Sequence, residues 1–139
     1  MIRLFAAPLL ALALFFAGTA HAAPPAAPPD LNVLRTALSG TWQSTDDTKF
    51  SRELDADGKA VDRYEGDASA TTAGHWTLFY GNKPPTGTTT GRAFQPDVVY
   101  LRLDQNGDVL LFALAGLSRS DMKMVYLERG NLLSFVRLK

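Results

Sequence analysis

The stretch LSGTWQSTDD, residues 38–47, marks the change from a helical pattern to a pattern of short strands. Gly40 is placed to end a helix, and Trp42 lies at the start of the first predicted strand. Asp46 and Asp47 follow that strand as a neighbouring acidic pair. Such a pair is typical either of a metal or acid–base site or of a turn, so its interpretation depends on the rest of the chain.

Upstream of this stretch, the sequence predicts one short helix. Asp30 is a suitable N-cap, because its carboxylate can accept the free N–H groups of the first helical turn. The leucines that follow share one face at helical spacing: Leu31, Leu34 and Leu38.

Downstream of Gly40, the pattern predicts eight strands that are separated by turn residues. The strands are expected at residues 41–45, 48–54, 60–65, 74–80, 97–103, 109–116, 121–128 and 131–138. The intervening DADG (55–58), DQNGD (104–108) and RGN (129–131) are typical of tight turns, and the first two are interpreted as type I turns. Strands joined in this way pair with their neighbours. We therefore expect an all-β fold, an up-and-down antiparallel β-barrel with a short N-terminal helix, and a flattened β-sandwich is the alternative.

The first 29 residues are expected to lie outside this domain. Residues 1–22 have the features of a signal peptide, namely Arg3, an apolar run over residues 6–16 and the small-x-small pattern at Ala20–Ala22. The run is shorter than the roughly 20 residues of a membrane helix, so no membrane span is expected in the mature protein. Residues 23–29, AAPPAAP, predict an extended tether, and residues 30–139 form the domain. A periplasmic or secreted location follows.

The composition limits the classes of function. The formal net charge is +0 at pH 7, which argues against a sequence-independent nucleic-acid binder. The chain has no cysteine, so it has neither disulfides nor a thiolate metal site. No metal or cofactor is expected, because DADG and DQNGD lack the later acidic ligands of a calcium loop. Asp46 and Asp47 are then interpreted as a turn between the first two strands.

Enzymatic activity is not predicted. After removal of the leader, His75 is the single histidine, and the sequence has no recognisable nucleophile, phosphate-loop or zinc-protease motif. An enzyme built on His75 with Asp62 or Glu65 is the least favoured hypothesis.

Gly40-Thr41-Trp42, together with Arg137 in the closing SFVRLK, resembles the first signature of the lipocalins and the wider calycin families. The resemblance implies that Trp42 packs across the closed end of a barrel with Arg137 on its ring. The segments WQSTDD, DGKAVDRYEG and WTL are also similar to a group of small, uncharacterised exported bacterial lipocalin-like proteins. Gly40, Trp42 and Arg137 are therefore assigned to a structural signature.

A candidate ligand site comes from the polar residues of the second and third strands. Arg52 shares a face with Phe50, and Asp62 and Tyr64 share a face of the next strand. A buried arginine needs a partner, so the three polar residues either form an internal network or lie at the bottom of a small pocket for an anionic or amphipathic ligand. Phe94, the aromatic residue of the long 81–96 loop, is expected to plug the barrel mouth and to contact the ligand.

Two functions are compatible with these patterns. The preferred one is an exported, non-enzymatic binding module for a small hydrophobic or amphipathic ligand. The alternative is a protein-interaction module of the cell envelope, an inhibitor or an assembly partner, which is motivated by the apolar residues on both faces of segment 109–117 and by the 81–96 loop. An interior space of about 300 Å³ or more would favour the ligand, and a filled core would favour the partner.

Overall fold

The computed structural model describes residues 27–139, which form one helix and eight strands. The predicted leader (1–22) and the first part of the predicted tether (23–29) lie outside the described residues, whereas residues 27–29 are exposed and have no regular structure. The elements are helix α1 (Leu31–Leu38) and strands β1 (Gly40–Ser44), β2 (Phe50–Leu54), β3 (Lys59–Tyr64), β4 (Asp67–Tyr80), β5 (Val99–Gln105), β6 (Asp108–Leu117), β7 (Asp121–Tyr126) and β8 (Asn131–Arg137).

The strands form a closed barrel in which each strand pairs with its neighbours in the order of the chain. All eight pairings are antiparallel, and the barrel is closed by β1 and β8, where Trp42 lies opposite Arg137. The predicted up-and-down barrel is therefore confirmed. Closure leaves no long open sheet edge between β1 and β8, in contrast to a flattened sandwich.

The structure differs from the prediction mainly in β4 and in one turn. Strand β4 begins at Asp67 and not at residue 74. The prediction missed its first half because that half is exposed, is rich in Ala, Ser and Thr, and lacks the alternation that identifies a buried strand. The β5–β6 turn has positive φ at both Asn106 (50°) and Gly107 (79°), so the expected type I turn is wrong here. Two such residues define a type I′ turn, whose twist matches that of the strands it joins.

Helix α1 lies at the closed end of the barrel. The carboxylate of Asp30 accepts the N–H groups of Asn32 and Val33, which confirms the predicted N-cap. Leu38 is fully buried and joins the barrel core. The helix has eight residues, and the described part of the chain contains no helix of the length and apolar character needed to cross a membrane.

The predicted contact between Trp42 and Arg137 holds the closed end together. The guanidinium carbon of Arg137 lies 4.2 Å from the centroid of the fully buried Trp42 ring. Arg137 also donates hydrogen bonds to the carbonyl groups of Ser39 (2.8 Å), Arg119 (2.7 Å) and Ala37. One planar cation thus joins the end of the helix, the β6–β7 turn and the last strand.

Gly40 is needed for this arrangement. Its φ of 140° is a backbone conformation that residues with a side chain rarely adopt. A Cβ at this position would also lie 2.5 Å from the Nη1 atom of Arg137 and 2.5 Å from the carbonyl oxygen of Lys139. The spacing Gly-x-Trp therefore has a physical reason, since the glycine makes room for the arginine that covers the tryptophan.

We predict that Arg137→Lys lowers the free energy of unfolding by about 2 kcal/mol, because lysine keeps the charge but loses the planar fork that reaches three carbonyl groups. Urea unfolding checks this value. Arg119→Lys, at an exposed position in the same region, is the control and should change the free energy by less than about 0.5 kcal/mol. Equal effects of the two substitutions would contradict the role given to Arg137.

Candidate functional site

The end of the barrel opposite α1 is framed by short connections. The turns between β1 and β2, β3 and β4, β5 and β6, and β7 and β8 all lie at this end. Helix α1 and the β4–β5 connection lie at the other end, so the short turns leave this end open. We call it the open end.

A depression of ≈ 260 Å³ lies at the open end. We call it the mouth pocket, and its lining residues are Ser44, Phe50, Arg52, Leu110, Phe112, Tyr126, Leu133 and Phe135. Most of the lining is apolar or aromatic, and one charged side chain lies among it. This composition is typical of small-molecule sites, in which few polar groups orient a ligand within apolar walls.

Arg52 is held by a bidentate salt bridge inside the barrel. Its Nε and Nη2 atoms each lie 2.8 Å from a carboxylate oxygen of Asp62. The two residues face each other across β2 and β3 in the strand register, which explains why the pair forms. Arg52 is 4% exposed and Asp62 is 8% exposed, so these two members of the expected three-residue network form a buried pair.

The third nitrogen of this guanidinium, Nη1, is buried and has no hydrogen-bond partner among the described residues. Nε and Nη2 occupy the edge of the guanidinium that faces Asp62, so Nη1 lies on the side away from that carboxylate. A buried donor without an acceptor costs about 1–3 kcal/mol, and such a group in a native protein requires an explanation. Asp62 therefore satisfies Arg52 only in part.

Aromatic rings surround the same guanidinium. Its carbon lies 4.9 Å from the ring centroid of Phe112, 5.6 Å from that of Phe50 and 6.0 Å from that of Phe135. The Tyr126 ring packs on Phe112 with 5.3 Å between centroids. The π faces stabilise the cation and also provide a flat apolar surface for a ligand.

The hydroxyl of Tyr126 takes part in a hydrogen bond at the rim. It donates to a carboxylate oxygen of Glu128. This bond, burial and the negative charge of Glu128 together raise the pKa of Tyr126 above its ordinary value of 10.0. The Oγ atom of Ser44 accepts the backbone N–H groups of Asp46 and Asp47. The polar atoms at the rim therefore have partners within the chain, in contrast to Nη1 of Arg52.

Two of the predicted ligand residues lie elsewhere. Tyr64 stands opposite Phe50 in the strand register, but it is 37% exposed and makes no hydrogen bond to Arg52 or Asp62 in the described chain. The expected three-residue network is thus reduced to a pair.

Phe94 does not plug the mouth, so that prediction was wrong. Its ring packs on Phe79, 5.3 Å away, and on Tyr100, 4.9 Å away between centroids. Both partners belong to a second apolar cluster, with Leu111, on the outer face of the barrel. The physical reason is that β4, β5 and β6 each place one large apolar or aromatic side chain of this cluster on the outer face, and these three side chains need a cover.

The β4–β5 connection provides this cover. Besides Phe94, it is held by Arg102, which donates to the hydroxyl of Thr88 (2.7 Å), and by the Tyr100 hydroxyl, which accepts the N–H of Gln95 (2.9 Å). Residues 81–98 therefore run along the outside of the barrel and do not form a lid over the mouth pocket. This finding removes much of the apolar surface that had motivated a protein partner on β6.

The acidic pair and the histidine also occupy the outside of the barrel. Asp46 and Asp47 are exposed in the β1–β2 turn, and a carboxylate oxygen of Asp47 accepts the N–H of Lys49, as the turn interpretation predicted. His75 is exposed on β4, whereas Asp62 points into the barrel, so the structure does not bring them together. Within residues 27–139, no group of three or more metal-ligating side chains is found.

The sequence alone did not identify Phe112, Tyr126 and Phe135 as site residues. Alternation indicates which residues share a face within one strand, such as Met122, Met124 and Tyr126 on β7, but not which strands meet. What brings the three aromatic residues around Arg52 is the register of β6, β7 and β8 and the closure of the barrel. These are long-range properties that a single strand does not encode.

Other surface depressions are larger, from ≈ 350 to ≈ 620 Å³. None of those described is lined by Arg52 or Gln105, the two described residues that have a buried side-chain nitrogen without a partner. The mouth pocket is therefore the stronger candidate on chemical grounds, although its volume is below the about 300 Å³ expected of a ligand site.

Comparison with protein-family models, with curated proteins and with solved structures finds no match for this chain. The fold and the site together define a small antiparallel β-barrel with a closed end built on tryptophan and arginine and an open end with a buried arginine at the mouth pocket.

We predict that Asp62→Leu lowers the free energy of unfolding by about 3–5 kcal/mol, because Arg52 is then a buried charge without a counter-ion. The double variant Arg52→Met/Asp62→Leu should recover most of this loss, since it removes both charges. Glu53→Gln is the control. It breaks the exposed Arg63–Glu53 bridge on the outer face of β2 and β3 and should cost less than about 1 kcal/mol. Urea unfolding of all variants checks these values, and a double variant as unstable as Asp62→Leu would argue against an unpaired charge as the cause.

We predict that Glu128→Gln lowers the pKa of Tyr126 toward its ordinary value, measured by NMR titration of the ¹³Cζ resonance. A raised pKa means that the folded state holds the phenol proton more tightly than the unfolded state. The resulting stabilisation is present below the ordinary pKa of tyrosine and is lost as the pH rises through the higher folded value. Glu128→Gln should reduce this alkaline loss. Glu65→Gln, at an exposed position in the β3–β4 turn, should leave the titration of Tyr126 unchanged.

Proposed function

We propose that this protein is an exported, non-enzymatic binding module of lipocalin-like type that holds a small amphipathic molecule in the mouth pocket. The observation that carries the proposal is the buried Nη1 atom of Arg52. It lies beside three phenyl rings and has no acceptor within residues 27–139. A ligand with an apolar body and one hydrogen-bond acceptor would satisfy both features. The lipocalin-like assignment is supported by the barrel and by the contact between Trp42 and Arg137.

The size of the pocket sets the size of the ligand. A volume of ≈ 260 Å³ suits a molecule of one or two rings better than a long acyl chain. The interior beyond it is filled by large buried side chains, including Trp42, Met122 and Met124. The ligand would therefore bind near the mouth and not deep within the barrel.

Access to Nη1 requires a small movement. The atom is shielded from solvent, and the guanidinium lies close to Phe50, Phe112 and Phe135. Phe50 is only partly buried, at the start of β2 and next to the β1–β2 turn. A rotation of this ring is the simplest way for a ligand to reach the nitrogen, because side chains at a surface change rotamer readily.

The filled interior and the mouth pocket of ≈ 260 Å³ meet the volume criterion for the alternative, a protein-interaction module of the cell envelope. The surface that motivated this alternative, however, is largely covered. The outer face of β6 that motivated it is packed under Phe94 through Leu111 and Ala113. Val109 remains 41% exposed on that face, which is a single residue and not an extended patch.

Ligand binding can be tested with 2-naphthol and acetophenone, which each carry one acceptor oxygen on an apolar body, by native mass spectrometry and by NMR shifts of Phe112 and Tyr126. From the size of the probes we expect 1:1 binding with a Kd of about 0.1–1 mM. Leu110→Trp should fill the pocket and weaken binding at least about tenfold. Val109→Trp is the matched control, because it adds the same ring to the outer face of β6 and should leave binding unchanged. If neither probe binds, or if both variants behave alike, the mouth pocket is not the ligand site.

A further inference from the structure

The charges around the mouth pocket indicate which class of ligand it would accept. Arg52 is its one charged lining residue, and Asp62 already neutralises that cation through two hydrogen bonds of 2.8 Å. At the rim, Glu128 and Arg129 carry opposite charges. The other short turns contribute more acidic than basic residues, namely Asp46, Asp47, Glu65 and Asp108 against Lys49, so the rim has no net positive charge. The pocket therefore offers a hydrogen-bond donor without a net positive charge.

Resting on the proposed ligand-binding function, we infer that the occupant is a neutral molecule with one strong hydrogen-bond acceptor, such as an amide or ketone carbonyl, on an apolar body of one or two rings. The Nη1 atom of Arg52 donates to this acceptor, and the rings of Phe112 and Tyr126 pack against the apolar body.

An anionic ligand is disfavoured by the same arrangement. A carboxylate at Nη1 would share a single guanidinium with Asp62, so that two negative charges would face one positive charge in a poorly solvated site. Burial of a charge that is not compensated costs far more than burial of a hydrogen-bonded carbonyl group. Like charges that share a site also repel each other. The aromatic faces that surround the guanidinium carry negative partial charge and add to this repulsion.

A purely apolar ligand is also disfavoured relative to a carbonyl compound. It would leave Nη1 buried without an acceptor, whereas a carbonyl group would satisfy it. A site that hydrogen-bonds its ligand discriminates strongly against an analogue that lacks the polar group, because that analogue leaves a polar atom of the protein unpaired. This discrimination is stronger than the discrimination between ligands that differ only in size.

Three matched probes test the inference: 2-naphthamide, 2-naphthoate and 2-methylnaphthalene. They share the two-ring body and differ in the group presented to Arg52. Titrations at pH 7 are followed by the Nε and Nη resonances of Arg52 and by the ring resonances of Phe112. We expect the amide to bind at least about tenfold more tightly than either other probe, which corresponds to 1.4 kcal/mol.

Two variants supply independent readouts. Asp62→Asn keeps an acceptor for Arg52 but removes the negative charge, so 2-naphthoate should become the tightest of the three probes. Arg52→Met/Asp62→Leu removes the pair as a unit, and the amide should then bind no better than 2-methylnaphthalene. Thermal unfolding of each variant establishes that it is folded at the titration temperature.

The outcomes separate this inference from the proposed function. Equal binding of 2-methylnaphthalene and 2-naphthamide to the unmodified protein, or tighter binding of 2-naphthoate, would overturn the neutral-acceptor inference and leave a ligand site in place. Absence of binding by all three probes would overturn both. A preference for the amide that survives in the double variant would show that Arg52 does not recognise the carbonyl group, and the inference would fail.

Discussion

The pairing of the first strand with the last is the constraint on which the rest of the barrel depends. It places Trp42 opposite Arg137, and the same register of β1 with β2 places Trp42 opposite Arg52, which in turn faces Asp62 on β3. Four neighbouring strands, β8, β1, β2 and β3, thus contribute one row of side chains across the sheet. In this row the buried indole of Trp42 lies between the guanidinium groups of Arg137 and Arg52. One group serves the closed end and bonds to carbonyl oxygens, while the other lies at the mouth pocket and bonds to a carboxylate. The two ends of the barrel differ in chemistry because of this single row.

The small size of the barrel explains where a site can exist. Large side chains, among them Trp42, Trp76 and Leu101, are almost fully buried, so no wide enclosed space is left for a ligand. The remaining opening is the mouth pocket, where short turns replace the helix. The long β4–β5 connection is unavailable as a lid, because its Phe94 packs on the apolar cluster at the outer face of the barrel. Packing against the apolar cluster on the outer face therefore determines the position of the β4–β5 connection, which is the only long connection within residues 27–139.

The fold could be predicted from the sequence to a large extent, and the site only in part. Alternation within strands and glycine at turns are local signals, and they gave the number of strands and their order. The Arg52–Asp62 pair could be anticipated because it lies between consecutive strands with a tight turn. Phe112 and Phe135 could not be assigned to the same site, since their approach to Arg52 depends on closure of the whole barrel. Phe94 was misplaced because a lone aromatic residue in a loop carries no signal for the face it covers.

The presence of Arg52 is not explained by stability alone. An apolar pair of similar volume in place of a buried salt bridge is often as stable or more stable, because desolvation of two charges is costly. Asp62 offsets part of that cost, but the third guanidinium nitrogen has no acceptor in the part of the chain that the structure describes. An arginine that serves stability alone is expected to engage every guanidinium nitrogen, as Arg137 does at the closed end with one hydrogen bond each from Nε, Nη1 and Nη2. The contrast between two arginines in one row of side chains favours a recognition role for the incompletely satisfied one.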